Sequence, residues 1–414
     1  MACYKKNTKF AVIFDNRCIY MKKITFLLSR FLDGGIDTVL LDYLRNLAPC
    51  EDYDITLAIA TGLGELEVFR QEVPENVKVV HLVEDGWLTR WRKQKILGGL
   101  SWGAKVVDEL FLAPIRRHII GKKLRALARE CDVLVDFDCC HYAYINNVRT
   151  WKVAWWHFSF EHRMESDHRR MQRIGRHLSV YDRVVVISKA MMDEGQRLFP
   201  QMEGRWRLIY NAKDEQRLQR LAQEAVDDER IRKPYILAVE RLEESQKDIT
   251  TLIKAYARLK KRTKTDVKLY LLGKGRDEAL LRVLAATEEV QDDVEFLGFH
   301  NNPYPWIAHA QLIAHSAKME GLPTAMIESL ILGKLIVSTD CPTGPREILN
   351  DGKAGLLVPV GDAAAMADAL QRLLTDEALR DALLSNAREH QRNFLFERTR
   401  QQFEEAISKV KSEK

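Results

Sequence analysis

The sequence predicts an α/β protein with two Rossmann-like domains, each built on a parallel β-sheet. Short, nearly continuous apolar runs alternate with helical stretches along the chain, as is typical of parallel strands covered by helices on both faces. The order strand, helix, strand recurs in both halves, which predicts right-handed βαβ units. The length of 414 residues corresponds to two domains at about 100–200 residues each.

Twelve apolar runs are the predicted strands. Those of the first half are KITFLLS (23–29), ITLAIAT (55–61), VKVVHLV (77–83), DVLVDFD (132–138), KVAWW (152–156), RVVVIS (183–188) and RWRLIY (205–210). Those of the second half are YILAVE (235–240), VKLYLLG (267–273), VEFLGF (294–299), QLIAHS (311–316) and KLIVST (334–339). Between the latter, helices are predicted at 248–262, 277–289 and 324–332.

The domain boundary is predicted in the charged stretch 212–233, which contains no β-rich run. The predicted organisation is an extension at 1–20, one Rossmann-like domain at 21–212, a second at 213–394 and a C-terminal helix at 395–414. Because Met21 opens the first strand-like run, residues 1–20 are either a loose extension or a segment upstream of the natural start.

The composition excludes several classes of protein. Hydrophobic residues make up 46% and charged residues 30% of the chain, which is ordinary for a globular protein and unlike disordered or fibrous chains. The net charge of +5 suits an anionic ligand or membrane surface but is too small to indicate nucleic acid. Seven cysteines without a C-x-x-C pair favour a reducing cytosol over a disulfide framework or a zinc site. No apolar run approaches the ~20 residues of a membrane span.

The segment HSAKMEGLPTAMIESLILGK, residues 315–334, carries the most informative pattern. A predicted strand ends there, and a short loop with Glu320 and Gly321 leads into a helix, whose N-terminus favours an anion. Glu328 follows Glu320 by eight residues, so the two carboxylates could bracket a ligand with hydroxyls at both ends and a phosphate between, such as a sugar nucleotide. The alternative is that Glu320 caps the helix and Glu328 lies on a solvated face.

This segment resembles the signature of the family-4 retaining glycosyltransferases, which belong to the glycosyl transferases group 1. The resemblance implies the GT-B arrangement, with two Rossmann-like domains whose parallel sheets face each other across a cleft. It spans 22–390 in outline and is strongest over 235–360. It implies that the second domain binds the nucleotide-sugar donor, the first binds the acceptor, and the C-terminal helix packs back on the first. The donor-loop residues it implies are Gly321, Leu322, Pro323, Thr324 and Glu328.

AVERLEESQKDITTLIKAY (238–256) resembles the Arg-Leu…Lys element of the same family. It supplies Arg241 and Lys247, which in the family hold the donor diphosphate, as a guanidinium fork and an ammonium point charge can. The sequence departs from the family at Glu240, where glycine often stands, and by one extra residue between the two cations. It also has Ala317 where serine is frequent.

Three further segments add candidate residues. LLGKGRDEALL (271–281) resembles the family's Gly-x-Gly turn beside the nucleobase, with Gly273 and Gly275, and LSRFLDGGIDTVLLDYL (28–44) its glycine-rich first loop, with Gly34 and Gly35. His157, after the strand in VAWWHFSFEHR, matches the family histidine near the reacting sugar. The helix HRRMQRIGRH (168–177) offers Arg169 and Arg173 to a phosphorylated or lipid-linked acceptor, or simply forms a solvated face.

The resemblance implies transfer of a hexose from a nucleoside diphosphate sugar, with UDP favoured, to a hydroxyl of a growing glycan. A bacterial surface polysaccharide such as lipopolysaccharide core or capsule is the expected pathway. The reaction would retain the anomeric configuration by front-face displacement. Arg241, Lys247, Glu320 and His157 are the expected catalytic residues, and no cofactor is expected. The alternatives are a non-catalytic sugar-nucleotide-binding partner subunit or a sugar-nucleotide epimerase on the same fold.

Two patterns lie outside these motifs. Asp136 and Asp138 form an Asp-x-Asp like that of metal-dependent glycosyltransferases of another fold, but they end a strand of the first domain, so a structural role and no catalytic metal are predicted. WLTRWRKQKILGGLSW (87–102) mixes tryptophan with basic residues. That mixture suits an anionic membrane interface or a plain surface loop. The expected location is the cytoplasm or a peripheral position on the cytoplasmic face of the inner membrane.

Overall fold

The computed structural model describes residues 12–14, 17–19, 21–32, 34–161 and 168–408. The strands of the first half are β1 (Val12–Phe14), β2 (Arg17–Ile19), β3 (Lys22–Leu28), β4 (Tyr53–Thr61), β5 (Lys78–Val83), β6 (Val133–Asp136), β7 (Trp151–Trp156), β8 (Arg183–Val186) and β9 (Trp206–Leu208). Those of the second half are β10 (Tyr235–Val239), β11 (Lys268–Leu272), β12 (Val294–Gly298), β13 (Leu312–His315), β14 (Ile336–Thr339) and β15 (Leu356–Val358).

Helices separate most of these strands. In the first half they are α1 (Gly35–Leu47), α2 (Arg90–Ile96), α3 (Trp102–Val107), α4 (Ala113–Glu130), α5 (Tyr142–Ile145), α6 (His168–Leu178) and α7 (Lys189–Leu198), with a π-helical segment at Asp108–Leu112 joining α3 to α4. The remaining helices are α8 (Glu215–Ala222), α9 (Ile249–Thr263), α10 (Glu278–Thr287), α11 (Tyr304–His309), α12 (Thr324–Ile331), α13 (Pro345–Ile348), α14 (Ala363–Thr375), α15 (Glu377–His390) and α16 (Phe396–Ala406). None of the described helices is both long and apolar enough to cross a bilayer.

Two parallel sheets form the framework, one in each half of the chain. The first sheet has seven strands in the order β5-β4-β3-β6-β7-β8-β9, and the second has six in the order β12-β11-β10-β13-β14-β15. The central strands are buried along almost their whole length, as in β6 and β13, because helices cover both faces of each sheet. The predicted α/β fold with two parallel sheets is therefore confirmed.

The predicted extension at 1–20 contains the antiparallel hairpin β1–β2, in which Val12 faces Ile19. The rest of that segment, and residues 409–414 of the predicted C-terminal helix, lie outside the described residues. The boundary stretch predicted at 212–233 contains α8 in addition to loops.

The chain passes between the two sheets at two neighbouring places. The Lys213 N–H donates to the Phe394 carbonyl at 2.8 Å, and the Phe396 N–H donates to the Lys213 carbonyl at 3.1 Å. From there α16 runs back over the first sheet, where the ring of Phe403 stacks on Phe26 with a centroid separation of 6.2 Å. The indole of Trp151 donates to the Ala406 carbonyl at 3.1 Å. The end of the chain thus helps to fill the core of the first half.

Candidate active site

The candidate site is assembled at the carboxyl edge of the second sheet, where open α/β sheets bind ligands. Because β10 and β13 are neighbours, the loops that follow them run side by side. Lys247 and Ala317 form an isolated antiparallel bridge, and the Lys318 N–H donates to the Gln246 carbonyl at 2.9 Å. These backbone contacts fix Lys247 opposite the loop that carries Glu320.

Lys247 and Glu320 form a nearly buried ion pair, with the ammonium hydrogen-bonded to the carboxylate. Burial alone would raise the pKa of Glu320, but the Lys247 ammonium and the His315 ring outweigh it and hold the pKa at about 2. Burial likewise opposes the charge of Lys247, whose pKa is nevertheless raised by Glu320 and Glu240. Both groups are therefore charged at neutral pH.

A second pair, between Glu240 and His315, lies directly behind the first. Glu240 Oε1 is 3.0 Å from His315 Nδ1 and accepts the Ser316 N–H at 2.8 Å. His315 Nε2 lies 3.6 Å from Glu320 Oε1. Burial would lower the pKa of His315, but the Glu240 carboxylate outweighs it and the pKa is raised. The four side chains form one chain of alternating acidic and basic groups, Glu240–His315–Glu320–Lys247.

The Gly-x-Gly turn after β11 packs tightly against the loop after β10. A Cβ at Gly273 would come 1.9 Å from the Glu240 carbonyl oxygen, and one at Gly275 would come 2.1 Å from that of Leu242. Only glycine allows the two backbones to approach this closely. The turn is thus in direct backbone contact with Glu240 and Leu242, at the start of the loop that carries Arg241 and Lys247.

His157 of the first half meets Gly321 of the second half across the cleft. A Cβ at Gly321 would lie 2.2 Å from the His157 carbonyl oxygen. The His157 ring is buried, and its Nε2 lies 2.7 Å from the Phe137 carbonyl. Burial lowers its pKa to about 4, so the ring is neutral at pH 7 and Nε2 carries the proton that Phe137 accepts.

Glu328, on α12, is buried and lies in a network that joins both halves. Lys213 Nζ is 2.7 Å from Glu328 Oε1 and 2.7 Å from Asp42 Oδ2 of α1, and the Tyr304 hydroxyl donates to Glu328 at 3.3 Å. Glu328 therefore does not lie on a solvated face, and its carboxylate is already paired with an ammonium. In this structure a donor ribose would have to share Glu328 with Lys213.

The other donor-loop residues lie beside this network. The Leu322 carbonyl accepts the Asn211 side-chain amide at 3.1 Å, and α12 begins at Thr324 just after Pro323. The Thr343 hydroxyl donates to the Gly321 carbonyl at 2.8 Å. The loop is thus held from both halves of the chain.

The remaining predicted residues are not all brought to this cluster. Arg241 is exposed, with Nη1 3.8 Å from Glu243 Oε2, and it lies on the same loop as Lys247. At the start of α1, the Gly34 N–H donates to the Asp37 carboxylate at 2.9 Å, so an anion there meets a negative charge that the sequence reasoning missed. Arg169 and Arg173 are exposed on α6, apart from the buried cluster.

A cavity of about 460 Å³ lies between the halves. Its walls come from α7 and from the segment after β14. They include Glu194 and Arg197 on one side and Cys341, Thr343 and Arg346 on the other, but none of the predicted catalytic side chains. We place the candidate site at the charged cluster rather than in this cavity, because the cluster lies at the carboxyl edge of the second sheet and contains the residues that the motifs predicted. The cavity's arginines, Arg197 and Arg346, are already paired with Glu161 and Asp340.

Asp136, Asp138 and His141 are the described residues whose ligand atoms lie close enough together to hold a metal ion, within 4.8 Å of one another. Asp136 already accepts from the His141 ring at 2.8 Å and from the His141 N–H at 2.8 Å. It also accepts from the Tyr181 hydroxyl. Protein donors therefore serve both of its oxygens, which favours the structural role predicted for it.

Sequence reasoning did not identify His315, and it noted Glu240 only as a departure from the family pattern, not as a member of the cluster. The available signals were a titratable residue at the last position of a predicted strand and a carboxylate where the family often has glycine. The two face each other only because β10 and β13 are adjacent, although 75 residues separate them in sequence.

Residues 220–390 match the family model described as "Glycosyl transferases group 1". The second half of this chain is a glycosyl transferases group 1 domain. Glu240, Lys247, His315 and Glu320, and Glu328 as well, lie inside the matched region. The predicted resemblance to this group is confirmed. The hairpin, the first sheet and α16 lie outside the matched region.

Curated relatives match parts of this chain. One is the N-acetylgalactosamine-N,N'-diacetylbacillosaminyl-diphospho-undecaprenol 4-alpha-N-acetylgalactosaminyltransferase of Campylobacter jejuni, 34% identical over 213 residues, which are 51% of this chain and 56% of that protein. Another is the lipopolysaccharide core biosynthesis glycosyltransferase LpsE of Rhizobium meliloti, 33% identical over 38% of this chain and 44% of that protein. The chain thus spans about half the length of these relatives.

Solved structures match the whole arrangement. Anabaena Alr3699/HepE in complex with UDP and glucose covers 93% of this chain and 99% of its own, with a TM-score of 0.70 and 19% identity. TarM covers 94% of this chain and 99% of its own, with a TM-score of 0.73 and 12% identity. The fold that accompanies the group 1 domain is therefore GT-B, as the resemblance implied.

Proposed function

We propose that this protein is a retaining glycosyltransferase that moves a hexose from a UDP-sugar to a hydroxyl of a growing glycan. The observation that carries the proposal is the nearly buried Lys247–Glu320 pair at the carboxyl edge of the second sheet. A cation for the diphosphate and a carboxylate for the sugar hydroxyls are held there side by side, next to the close contact between Gly321 and His157.

The proposed mechanism is a front-face displacement. The bond between the anomeric carbon and the diphosphate oxygen breaks, and the acceptor oxygen forms the new bond on the same face. The departing diphosphate takes the acceptor proton. Arg241 and Lys247 stabilise the negative charge that develops on it, Glu320 holds the sugar hydroxyls, and neutral His157 offers Nδ1 as an acceptor to a hydroxyl near the reacting carbon.

The donor must compete with Glu320 for Lys247, because the two side chains are paired without a ligand. A diphosphate carries more charge than one carboxylate and binds an ammonium more strongly. When Lys247 turns to the diphosphate, the His315 ring remains beside Glu320, 3.6 Å away. We propose that this ring keeps Glu320 in position during the exchange.

Relatives support the proposed substrates. The Alr3699/HepE structure is a complex with UDP and glucose, which supports UDP as the carrier. The Campylobacter relative is named for a diphospho-undecaprenol-linked substrate and LpsE for lipopolysaccharide core biosynthesis. These names support a lipid-linked or surface-polysaccharide acceptor for this chain, and with it a working position at the surface of a membrane.

The test combines ligand binding with transfer. Thermal unfolding is measured with UDP, GDP, ADP, CMP and NAD, since a ligand at about 100 times its dissociation constant stabilises by about 2.7 kcal/mol. UDP is expected to stand out. Transfer from UDP-hexoses to glycan acceptors is then followed, with the anomeric configuration of the product determined by NMR.

The Arg241→Ala/Lys247→Ala variant is expected to lose both the UDP shift and transfer. Its matched control is Lys254→Ala/Lys261→Ala, which removes the same charge from the exposed face of α9 and should retain both. Transfer that persists in the first variant would contradict the diphosphate assignment. Stabilisation by NAD alone would favour the alternative that the protein is a sugar-nucleotide epimerase. A shift with UDP but no transfer would favour the alternative that it is a non-catalytic partner subunit.

A further inference from the structure

Exposed apolar side chains are concentrated in one short part of the first half. Of the fourteen large hydrophobic residues that are exposed in the described chain, eight lie between 87 and 115. The most exposed are Trp102 at 81%, Trp87 and Leu97 at 69%, Leu110 at 64% and Phe111 at 63%. Exposed apolar groups that cluster in this way mark an interaction surface.

The helix α3, the π-helical segment and α4 run on as one continuous helix that presents these side chains in rows. Trp102, Val106 and Leu110 follow one another at intervals of four residues, and so do Val107, Phe111 and Ile115. Residues four apart on a helix lie on the same side, and the rows are neighbours because residues 107 and 110 are three apart. The first half of this helix thus carries an apolar face directed to solvent.

A buried ion pair holds the helix to the segment before it. Arg116 is bidentate with Asp108, at 2.7 and 2.9 Å, and the same guanidinium donates to the Leu88 carbonyl at 2.7 Å. Trp87 is therefore fixed beside the helix rather than on an independent loop. We call residues 87–117 the docking face.

The docking face is also strongly basic. Residues 87–117 contain seven lysines and arginines against two acidic residues, and Lys122 and Lys123 follow on α4, whereas the net charge of the whole chain is +5. Both acids have basic neighbours, since Asp108 pairs with Arg116 and Glu109 lies 3.7 Å from Lys95. Exposed cations such as Lys105 and Lys122 thus flank the apolar rows with no acidic residue of this segment left to balance them.

We propose that the docking face binds an anionic lipid bilayer. Tryptophan and phenylalanine on one side of a helix, with lysine and arginine around them, are the chemistry of an interfacial helix. Each lysine or arginine close to an anionic bilayer adds to the attraction. Protein–protein interfaces are by contrast depleted in lysine, so the bilayer fits this composition better than a protein partner does.

The location of the docking face gives the interaction a use. Its first residues follow the carboxyl end of β5, and Arg92 lies near Arg30 of the loop after β3, close enough for their charges to interact. This is the edge of the first sheet that faces the cleft. The inference rests on the proposed function, because a bilayer bound here would present a lipid-linked acceptor to the first half of the site.

The experiment is co-sedimentation of the full chain with vesicles of phosphatidylcholine alone or with phosphatidylglycerol. Binding is expected only with phosphatidylglycerol and should weaken as salt rises. The Trp102→Ser/Leu110→Ser/Phe111→Ser variant should bind at least ~10-fold more weakly, since each change removes apolar area from the contact. A Lys95→Glu/Lys105→Glu/Lys122→Glu variant should lose the preference for the anionic lipid.

The matched control is Leu280→Ser/Val283→Ser on α10, two side chains that are 59% and 63% exposed on the other half of the chain. It should bind vesicles like the unchanged protein. Equal binding to both kinds of vesicle, or an unaffected triple serine variant, would overturn the proposal. So would concentration-dependent dimerisation that the serine variant abolishes without any vesicle binding, since the face would then join two copies.

The failure of this inference is separable from failure of the proposed function. Transfer to a water-soluble acceptor, without vesicles, should be the same in the triple serine variant and the unchanged protein. Absence of such transfer in the unchanged protein would count against the proposed function while leaving vesicle binding as measured. Vesicle binding that is the same in the triple serine variant and in the unchanged protein would count against the docking face and leave the proposed function untouched.

Discussion

His157 is a histidine that burial keeps neutral over the physiological range. Its pKa is lowered to about 4 by desolvation, and its Nε2 hydrogen bond to Phe137 leaves Nδ1 with a lone pair. A neutral ring can accept a hydrogen bond from a sugar hydroxyl, whereas an imidazolium can only donate. The burial that sets this pKa therefore also sets the hydrogen-bonding role.

The same burial makes stability depend on pH. The unfolded chain binds a proton at His157 near pH 6.5 and the folded chain only near pH 4, so the free energy of unfolding falls as pH drops through that window. Between pH 7 and pH 5 the loss should be about 2 kcal/mol, at about 1.4 kcal/mol per pH unit. Urea unfolding of a His157→Gln variant should show a correspondingly smaller change.

The control for this measurement is His118→Gln, which changes an exposed histidine on α4. It should keep the full pH dependence of the unchanged protein. If His157→Gln and His118→Gln lose the same stability between pH 7 and pH 5, the neutral, buried state of His157 is not what the structure indicates.

The sequence predicted single residues better than their partners. Lys247 and Glu320 were identified from local motifs, and the structure pairs them. The contacts of Glu240 with His315 and of Lys213 with Glu328 were not foreseen. Each joins residues more than 70 positions apart, and such contacts depend on which strands become neighbours. Local periodicity carries no information on that order.

At the scale of elements, the loop between β13 and α12 is shaped by a contact that only glycine permits. Gly321 packs its backbone on the His157 carbonyl, and Glu320 exchanges backbone hydrogen bonds with Pro342 and Thr343. The loop that carries the candidate carboxylate is therefore held from both halves of the chain. Its position defines how closely the halves approach.

A Gly321→Ala change should open this contact. The new Cβ would lie 2.2 Å from a backbone oxygen, which cannot rotate away, and overpacking of this kind destabilises by about 1–3 kcal/mol. We expect kcat/KM for transfer to fall about 10-fold or more, since each 1.4 kcal/mol is tenfold. Gly86→Ala, whose Cβ would meet nothing within 4 Å, should have little effect. Equal activities in the two variants would show that the contact is not needed.

The elements themselves were largely predictable. All twelve strands predicted from apolar runs are present as β3 to β14, because five or more consecutive apolar-rich residues leave few alternatives in a buried sheet. The strand that was missed in the second sheet, β15, has only three residues, Leu356–Val358. So short a run carries little periodic signal, and its pairing with β14 is what makes it a strand.

At the scale of the whole molecule, the two halves are joined by a second, separate charge cluster, which consists of Asp42, Lys213 and Glu328. It is buried and lies beside the place where the chain crosses between the sheets. Lys213 lies in the connection between the sheets and contacts Asp42 of the first half and Glu328 of the second. Burial opposes its charge, but the two carboxylates outweigh it and raise its pKa. One ammonium thus neutralises a carboxylate from each half.

Replacement of Lys213 should therefore affect the whole chain. Lys213→Met leaves two buried carboxylates without a cation, and loss of one member of a buried ion pair destabilises by about 3–5 kcal/mol. Denaturant unfolding should show this loss, while Lys254→Met, an exposed lysine on α9, should change stability by less than about 0.5 kcal/mol. An unchanged midpoint for Lys213→Met would mean that the cluster contributes nothing to stability.

The return of α16 to the first sheet has a consequence for how the protein is made. Phe403 belongs to the same aromatic core as Phe26, Tyr43 and Trp155. On the ribosome the strands of the first sheet are finished about 200 residues before this ring is added, which is roughly 10–40 s at 5–20 residues per second. During that interval the nascent first half has an open apolar core, so chaperones that bind exposed aromatic surface should engage it until α16 is synthesised.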